Sequence, residues 1–183
     1  MKSYYPFIEN IKMINSLNKV FPHLEEKGCL QFITKEAFEI FDHKEEKKCY
    51  IIEENGQFKV FNSEKKEIGF LAVDECLFDS SDGSRADCMV FDEEVVCFIE
   101  LKDCKNKNIP ANRRKAKKQL IAVIEFFQEN IKLDRELEAY ICVTCSTEDG
   151  TVTMTPRANN EEAQLEFEEF YNTSLFYECE KKF

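Results

Sequence analysis

The spacing of apolar residues changes period several times along the chain. Phe7, Ile8, Ile11, Ile14, Leu17, Val20 and Phe21 recur near helical spacing, which predicts a first helix over 7–21 that ends before Pro22. FITKEAFEIFDHKEEKK (32–48) fits either an extension of the helical part or a mixture of strand and helix. CYIIEENGQFKVFNS (49–63) predicts a hairpin turning at Asn55-Gly56. EIGFLAVDECLF (67–78) reads as a strand, and DSSDGS (79–84) as a loop of turn-forming residues. Two strands, 85–91 and 95–103, follow, joined at residues 92–94. A long amphipathic helix comes next in NIPANRRKAKKQLIAVIEFFQENIKL (108–133). Pro110 lies just before it, Asn112 is its expected N-cap, and Ala116, Leu120, Val123, Phe127 and Ile131 form its apolar stripe. EAYICVTCS (138–146) has the unbroken apolar run of a strand covered on both faces. TEDGTVTMTP (147–156) reads as a turn and edge strand, and NEEAQLEFEEFYN (160–172) as a helix. With no repeat and no low-complexity linker, the order predicts one α/β domain with a mixed sheet flanked by helices.

Composition narrows the class. The 183 residues are 43% hydrophobic and 33% charged, and include 17 phenylalanines, enough for one substantial core under a solvated surface. No apolar run approaches the roughly 18 residues of a membrane span. The first 21 residues lack the apolar stretch and cleavage site of a secretory signal. A cytoplasmic protein with no membrane contact is therefore expected. Its nine cysteines then read as reduced thiols, with Cys88, Cys97 and Cys142 as small buried apolar side chains. A net charge of −11 argues against a general nucleic-acid coat protein. The charge is uneven, however. Lys102 to Lys118 carries a net +7, while Glu161 to Phe183 holds seven glutamates against two lysines.

One stretch, RADCMVFDEEVVCFIELKDCK (85–105), sets charges inside an apolar strand pattern. Burying an unpaired charge is costly, so Glu100 and Lys102 need partners, a metal or a cleft. Strand faces alternate, placing Val96, Phe98, Glu100 and Lys102 together. A two-residue loop at Glu93-Glu94 pairs Phe91 with Val96, Met89 with Phe98, and Asp87 with Glu100; a slip of one residue would send Asp87 to the other face. An isolated Glu-x-Lys is ordinarily an ion pair. Here a second carboxylate opposes the glutamate, and a divalent cation between them would turn repulsion into binding.

Asp87, then Glu100-Leu101-Lys102 thirteen residues on, then a long helix, resembles the PD-(D/E)XK nuclease superfamily, the restriction-endonuclease-like fold. The resemblance covers a core of about residues 67–146. It implies that Asp87 and Glu100 hold Mg²⁺ (or Mn²⁺), with the Leu101 carbonyl as a further ligand, and that Lys102 orients or activates the attacking water. Gln119-Leu120 looks like the glutamine that the helicase-associated exonuclease branch sets beside its site. Ala86 departs from the family's proline before the aspartate. The acid usually given by the first helix has four candidates, Glu25, Glu26, Glu36 and Glu39. The function implied is metal-dependent hydrolysis of DNA, as endo- or exonuclease, in a bacterial defence or repair system.

The basic run Lys105, Lys107, Arg113, Arg114, Lys115, Lys117 and Lys118 suits nucleic-acid phosphates. Cationic residues at a helix start oppose the helix dipole, which favours a binding role over an ordinary solvated terminus. Cys142-Val-Thr-Cys145 is a single C-x-x-C on a core strand, whose thiols would point to opposite faces, and is not expected to hold a metal. Since Lys102 is not a ligand, Lys102→Ala should leave fold and metal binding largely intact. Two non-catalytic alternatives fit the net charge: an inactive nuclease-like subunit, and an acidic interaction or immunity module. The acidic surface suits a basic protein partner, and a homodimer is compatible with the same sequence.

Overall fold

Two β-sheets share one apolar core in the computed structural model, which describes residues 6–24, 27–78, 85–103, 108–146, 152–154 and 160–183. Its elements are α1 (Pro6–Val20), β1 (Leu30–Ile33), β2 (Ala37–His43), β3 (Lys48–Ile52), β4 (Phe58–Phe61), β5 (Ile68–Ala72), β6 (Cys88–Phe91), β7 (Val95–Asp103), α2 (Ile109–Asn130), β8 (Glu136–Ser146), β9 (Val152–Met154), α3 (Glu161–Tyr171), β10 (Ser174–Phe176) and β11 (Glu180–Lys182). The larger sheet runs β1-β5-β6-β7-β8-β10, with β9 also paired to β8. Its pairs are antiparallel from β1 to β7 and parallel between β7, β8 and β10. The smaller sheet runs β11-β4-β2-β3. The architecture is thus mixed α/β, as expected.

A parallel β7–β8 pair requires a crossover, and α2 provides it. Ala116, Leu120, Val123 and Phe127 are fully buried on its inner face, and the Phe127 ring meets Phe98 of β7 edge-on at 5.5 Å. Each such large side chain contributes about 1.5–3 kcal/mol through burial. The helix begins three residues earlier than the expected Asn112 cap. Asn108 is the cap residue and Pro110 lies in the first turn, where its missing N–H has no helical partner to lose.

Three local expectations need correction. The Asn55-Gly56 turn is present, with Asn55 at φ +67°, but β3 and β4 do not pair with each other. Both flank β2. Gly56 is needed for close approach rather than for a tight hairpin: a Cβ there would lie 2.6 Å from the Cβ of Glu39. The turn therefore passes over β2, and Gln57 N–H donates to the Ile40 carbonyl at 2.8 Å. Residues 32–48 contain strand and turn but no helix. The strand from Glu67 stops at Ala72, because residues 74–78 turn back on themselves. The C-terminal tail adds β10 and β11, one to each sheet.

The cysteines also depart from expectation. Cys29 bonds to Cys76, and Cys142 to Cys179, while Cys49, Cys88, Cys97 and Cys145 are not in disulfides. Sheet packing brings together positions 47 and 37 residues apart, a proximity that sequence spacing does not reveal. Cys142 is buried as expected, but as a disulfide partner of the segment before β11. Thiol labelling of the unfolded, unreduced protein should therefore find at most five reactive cysteines of the nine. Nine labelled thiols would show that both pairs are reduced. No described helix is long and apolar enough to cross a membrane.

Candidate active site

The β6–β7 hairpin has the expected register, with Phe91 opposite Val96 and Met89 opposite Phe98. Continued past the end of β6, it brings Asp87 to Glu100. Asp87 is held on three sides. Its N–H donates to the Ile99 carbonyl at 3.2 Å, and its own carbonyl accepts from Val73 N–H at 3.0 Å. Its Oδ2 accepts from Leu101 N–H at 2.6 Å, taking the place of a ladder carbonyl. Glu100 is fully buried. Lys102 Nζ donates to Glu100 Oε1, whereas Glu100 Oε2 is buried with no hydrogen-bond partner.

These groups perturb one another strongly. Burial pushes Asp87 up to about 7, and the Lys102 ammonium only partly offsets it. Glu100 is pushed well above the usual carboxylate range, by burial first and by the Asp87 charge second. Burial opposes the charge on Lys102, but Glu100 and Asp87 outweigh it and hold the ammonium above its ordinary value. Removing Lys102 would leave a fully buried carboxylate without its cation. Lys102→Ala, expected to leave the fold largely intact, is therefore predicted to cost stability.

Two further carboxylates lie within electrostatic range of the same ammonium, and the sequence did not single them out. Asp42, on β2, has its N–H held by Gln57 Oε1 at 2.7 Å. It lies opposite Cys49 on β3, whose thiol meets that of Cys88, the residue after Asp87. Asp74 lies just beyond β5, where its Oδ1 accepts from Glu75 N–H at 3.1 Å. Burial raises both acids, while Lys102 lowers both. Four carboxylates thus feel the Lys102 charge, with Lys44 also acting on Asp42 and Lys47 on Asp74. Of the expected upstream acids, Glu36 pairs with Lys65 and Glu39 with Lys59, so neither belongs to this cluster. Glu25 and Glu26 lie outside the described residues.

Gln119 is buried, as its helical angle allows, but it is not directed at the carboxylates. Its Nε2 donates to the Arg85 carbonyl at 2.7 Å, and its Oε1 has no partner. Arg85 in turn donates to the Ala122 carbonyl and stacks over Phe78. Gln119 therefore fastens α2 to the chain two residues before Asp87.

The basic run divides. Arg113 lies over the Tyr177 ring, and Lys117 bonds Glu166 at 2.7 Å. Arg114, Lys115 and Lys118 are exposed. Lys105 and Lys107 lie outside the described residues. In the C-x-x-C, Cys142 is tied to Cys179, and Cys145 is outside any disulfide.

Among the described residues, no group of three or more His, Cys, Asp or Glu side chains is arranged to hold a metal ion. Mg²⁺ does not require one, since it commonly takes one or two carboxylates and completes its shell with water and phosphate. The donors at hand, Asp87 and the unpartnered Glu100 oxygen, are hard oxygen ligands suited to Mg²⁺ or Mn²⁺. Comparison with protein-family models, curated proteins and solved structures finds no match for this chain.

Proposed function

We propose that the chain is a metal-dependent nuclease that hydrolyses phosphodiester bonds of DNA on a restriction-endonuclease-like core formed by β5, β6, β7, α2 and β8. The observation that carries this reading is the burial of Asp87 and Glu100 beside a single ammonium, with one Glu100 oxygen lacking a donor. Asp87, Glu100 and the Leu101 carbonyl would hold Mg²⁺ or Mn²⁺. A bound cation of this kind supplies phosphate polarisation and a water of lowered pKa. Lys102 keeps its proton at neutral pH, so it acts by charge and hydrogen-bond donation rather than as a base. Gln119 is a positioning residue acting through Arg85. Exposed Arg114, Lys115 and Lys118 would meet backbone phosphates. On this reading the protein works in the cytoplasm, in bacterial defence or repair, where its two disulfides would be unusual.

One observation favours a second reading. Lys102 already caps the fully buried Glu100, as in an inert ion pair. The protein would then be an acidic interaction module, with α3 and its exposed Leu165 and Phe170 as the contact surface.

DNA cleavage assays with Mg²⁺ or Mn²⁺ separate the two. Wild type should cut, and Asp87→Asn should lose about 100-fold or more. No cleavage by wild type, alone or in its native complex, would favour the interaction module. Replacing Arg114, Lys115 and Lys118 together with alanine should weaken DNA binding and flatten its log–log salt slope by about 2–3. An unchanged slope would remove these side chains from the interface.

A further inference from the structure

At the opposite end of the β6–β7 hairpin from the carboxylates, α1 and the α2–β8 connection enclose a cavity of about 300 Å³. Counted along β7 from Val95 to Lys102, it lies roughly 20 Å from the carboxylate cluster. Lys12, Asn15, Ser16 and Lys19 recur at helical spacing and form its α1 wall. Met13 and Leu17, on the neighbouring face, anchor that stretch of helix in the core. Lys132, Asp134 and Arg135 of the connection line the other wall. Among the described lining residues, four cationic and two neutral hydrogen-bonding side chains accompany one acid, Asp134, which lies 2.9 Å from Lys132. In a chain of net charge −11, this is a local reversal of sign.

The cavity is built on a fixed cation. Arg135 donates to the Asp92 carbonyl, and its guanidinium lies 5.9 Å from the centre of the Phe91 ring. Asp92 is itself locked in the hairpin turn, its Oδ1 accepting from the N–H groups of Glu94 and Val95 at 2.9 and 3.0 Å. Arg135 therefore presents its charge at a set position, and little ordering cost remains for a ligand to meet. Several donors and a local excess of positive charge suit an anion with many acceptor oxygens and more than one charge. A carboxylate offers two oxygens and one charge; a phosphate fits better.

We propose that this cavity is a phosphate-binding site, separate from the carboxylate cluster, that holds the phosphoryl group of a nucleotide, free or at the end of a strand. It stands independently of the nuclease reading. Calorimetric titration with pyrophosphate, at constant ionic strength set with chloride, tests it. Wild type should bind, and the double variant Lys19→Glu, Lys132→Glu should bind about tenfold or more weakly. Both changes are at exposed positions, and circular dichroism checks that the variant is folded. Asp134→Asn should tighten binding, while Lys35→Ala with Lys182→Ala, at exposed positions outside both sites, should leave it unchanged. Adenosine monophosphate, a 5′-phosphorylated oligonucleotide and its unphosphorylated counterpart then separate free from strand-borne phosphate, each positive probe being sensitive to the double variant. Equal binding by wild type and the double variant, or no binding of millimolar pyrophosphate by wild type, would overturn the proposal.

Discussion

Replacing Lys102 with alanine should abolish DNA cleavage and also lower the melting temperature of the metal-free protein. The second effect follows from the partner it leaves behind. Glu100 is fully buried, and Lys102 is its hydrogen-bonded cation. Breaking a buried ion pair from one side costs about 3–5 kcal/mol when the remaining charge cannot adapt. Glu100 can adapt by taking a proton, since burial and Asp87 already hold its pKa high, so the loss should fall below that range. Mn²⁺ should restore much of it by standing in electrostatically for the ammonium. On the nuclease reading cleavage should not return with the metal, because Lys102 would no longer stand beside the attacking water; a loss of about 100- to 1,000-fold is expected. Lys102→Met, which keeps more of the aliphatic stem, separates packing from charge. Full activity in either folded variant would remove Lys102 from the mechanism.

Glu100→Gln should have the opposite effect on stability and a comparable one on function. In the metal-free protein the folded state binds the Asp87 proton more tightly than the unfolded chain does, with a pKa of about 7 against 3.8. The resulting stabilisation is complete below about pH 4 and is lost as pH rises through about 7. Glu100 is shifted in the same direction and should extend the loss to higher pH. Melting temperature in chelator should therefore fall between pH 5 and 8, and divalent metal should oppose that fall, because metal binds the ionised carboxylates. Glu100→Gln removes one buried charge, so it should melt higher than wild type at pH 8 in chelator. It should also bind Mn²⁺ at least about tenfold more weakly, since it deletes a charged ligand. Scanning calorimetry and metal titration read the two effects. Unchanged Mn²⁺ affinity, together with unchanged melting, would mean that Glu100 is not part of a metal site.

The parts of this arrangement that were legible in the sequence are those set by local periodicity. The short Glu93-Glu94 loop and the alternation of strand faces set the register that leads Asp87 to Glu100; both faces of β7 are buried, so a slip would carry Glu100 to the other covered face, away from Asp87. The stripe on α2 was readable for the same reason. Asp42 and Asp74 were not, since they act on Lys102 from a second sheet and from a turn, and their residue types do not record that proximity. The Asn55-Gly56 signal was read as a hairpin because a dipeptide reports the turn but not the strand that separates its two arms. Gln119 could be placed at the edge of the buried face, but its partner, a carbonyl 34 residues away, is a product of tertiary packing.

The smaller sheet has a consequence for the order in which the molecule assembles. Its edge strand β11 pairs with β4, so residues 180–182 must find residues 59–61 across most of the chain. Contacts so distant in sequence are slow to form, because the loop they close is long. The β5–β6–β7 meander is local and needs no such search. During folding, Asp87, Glu100 and Lys102 should therefore come together before the sheet that carries Asp42 is complete. Hydrogen-exchange pulse labelling would then protect β6 and β7 early and β11 late.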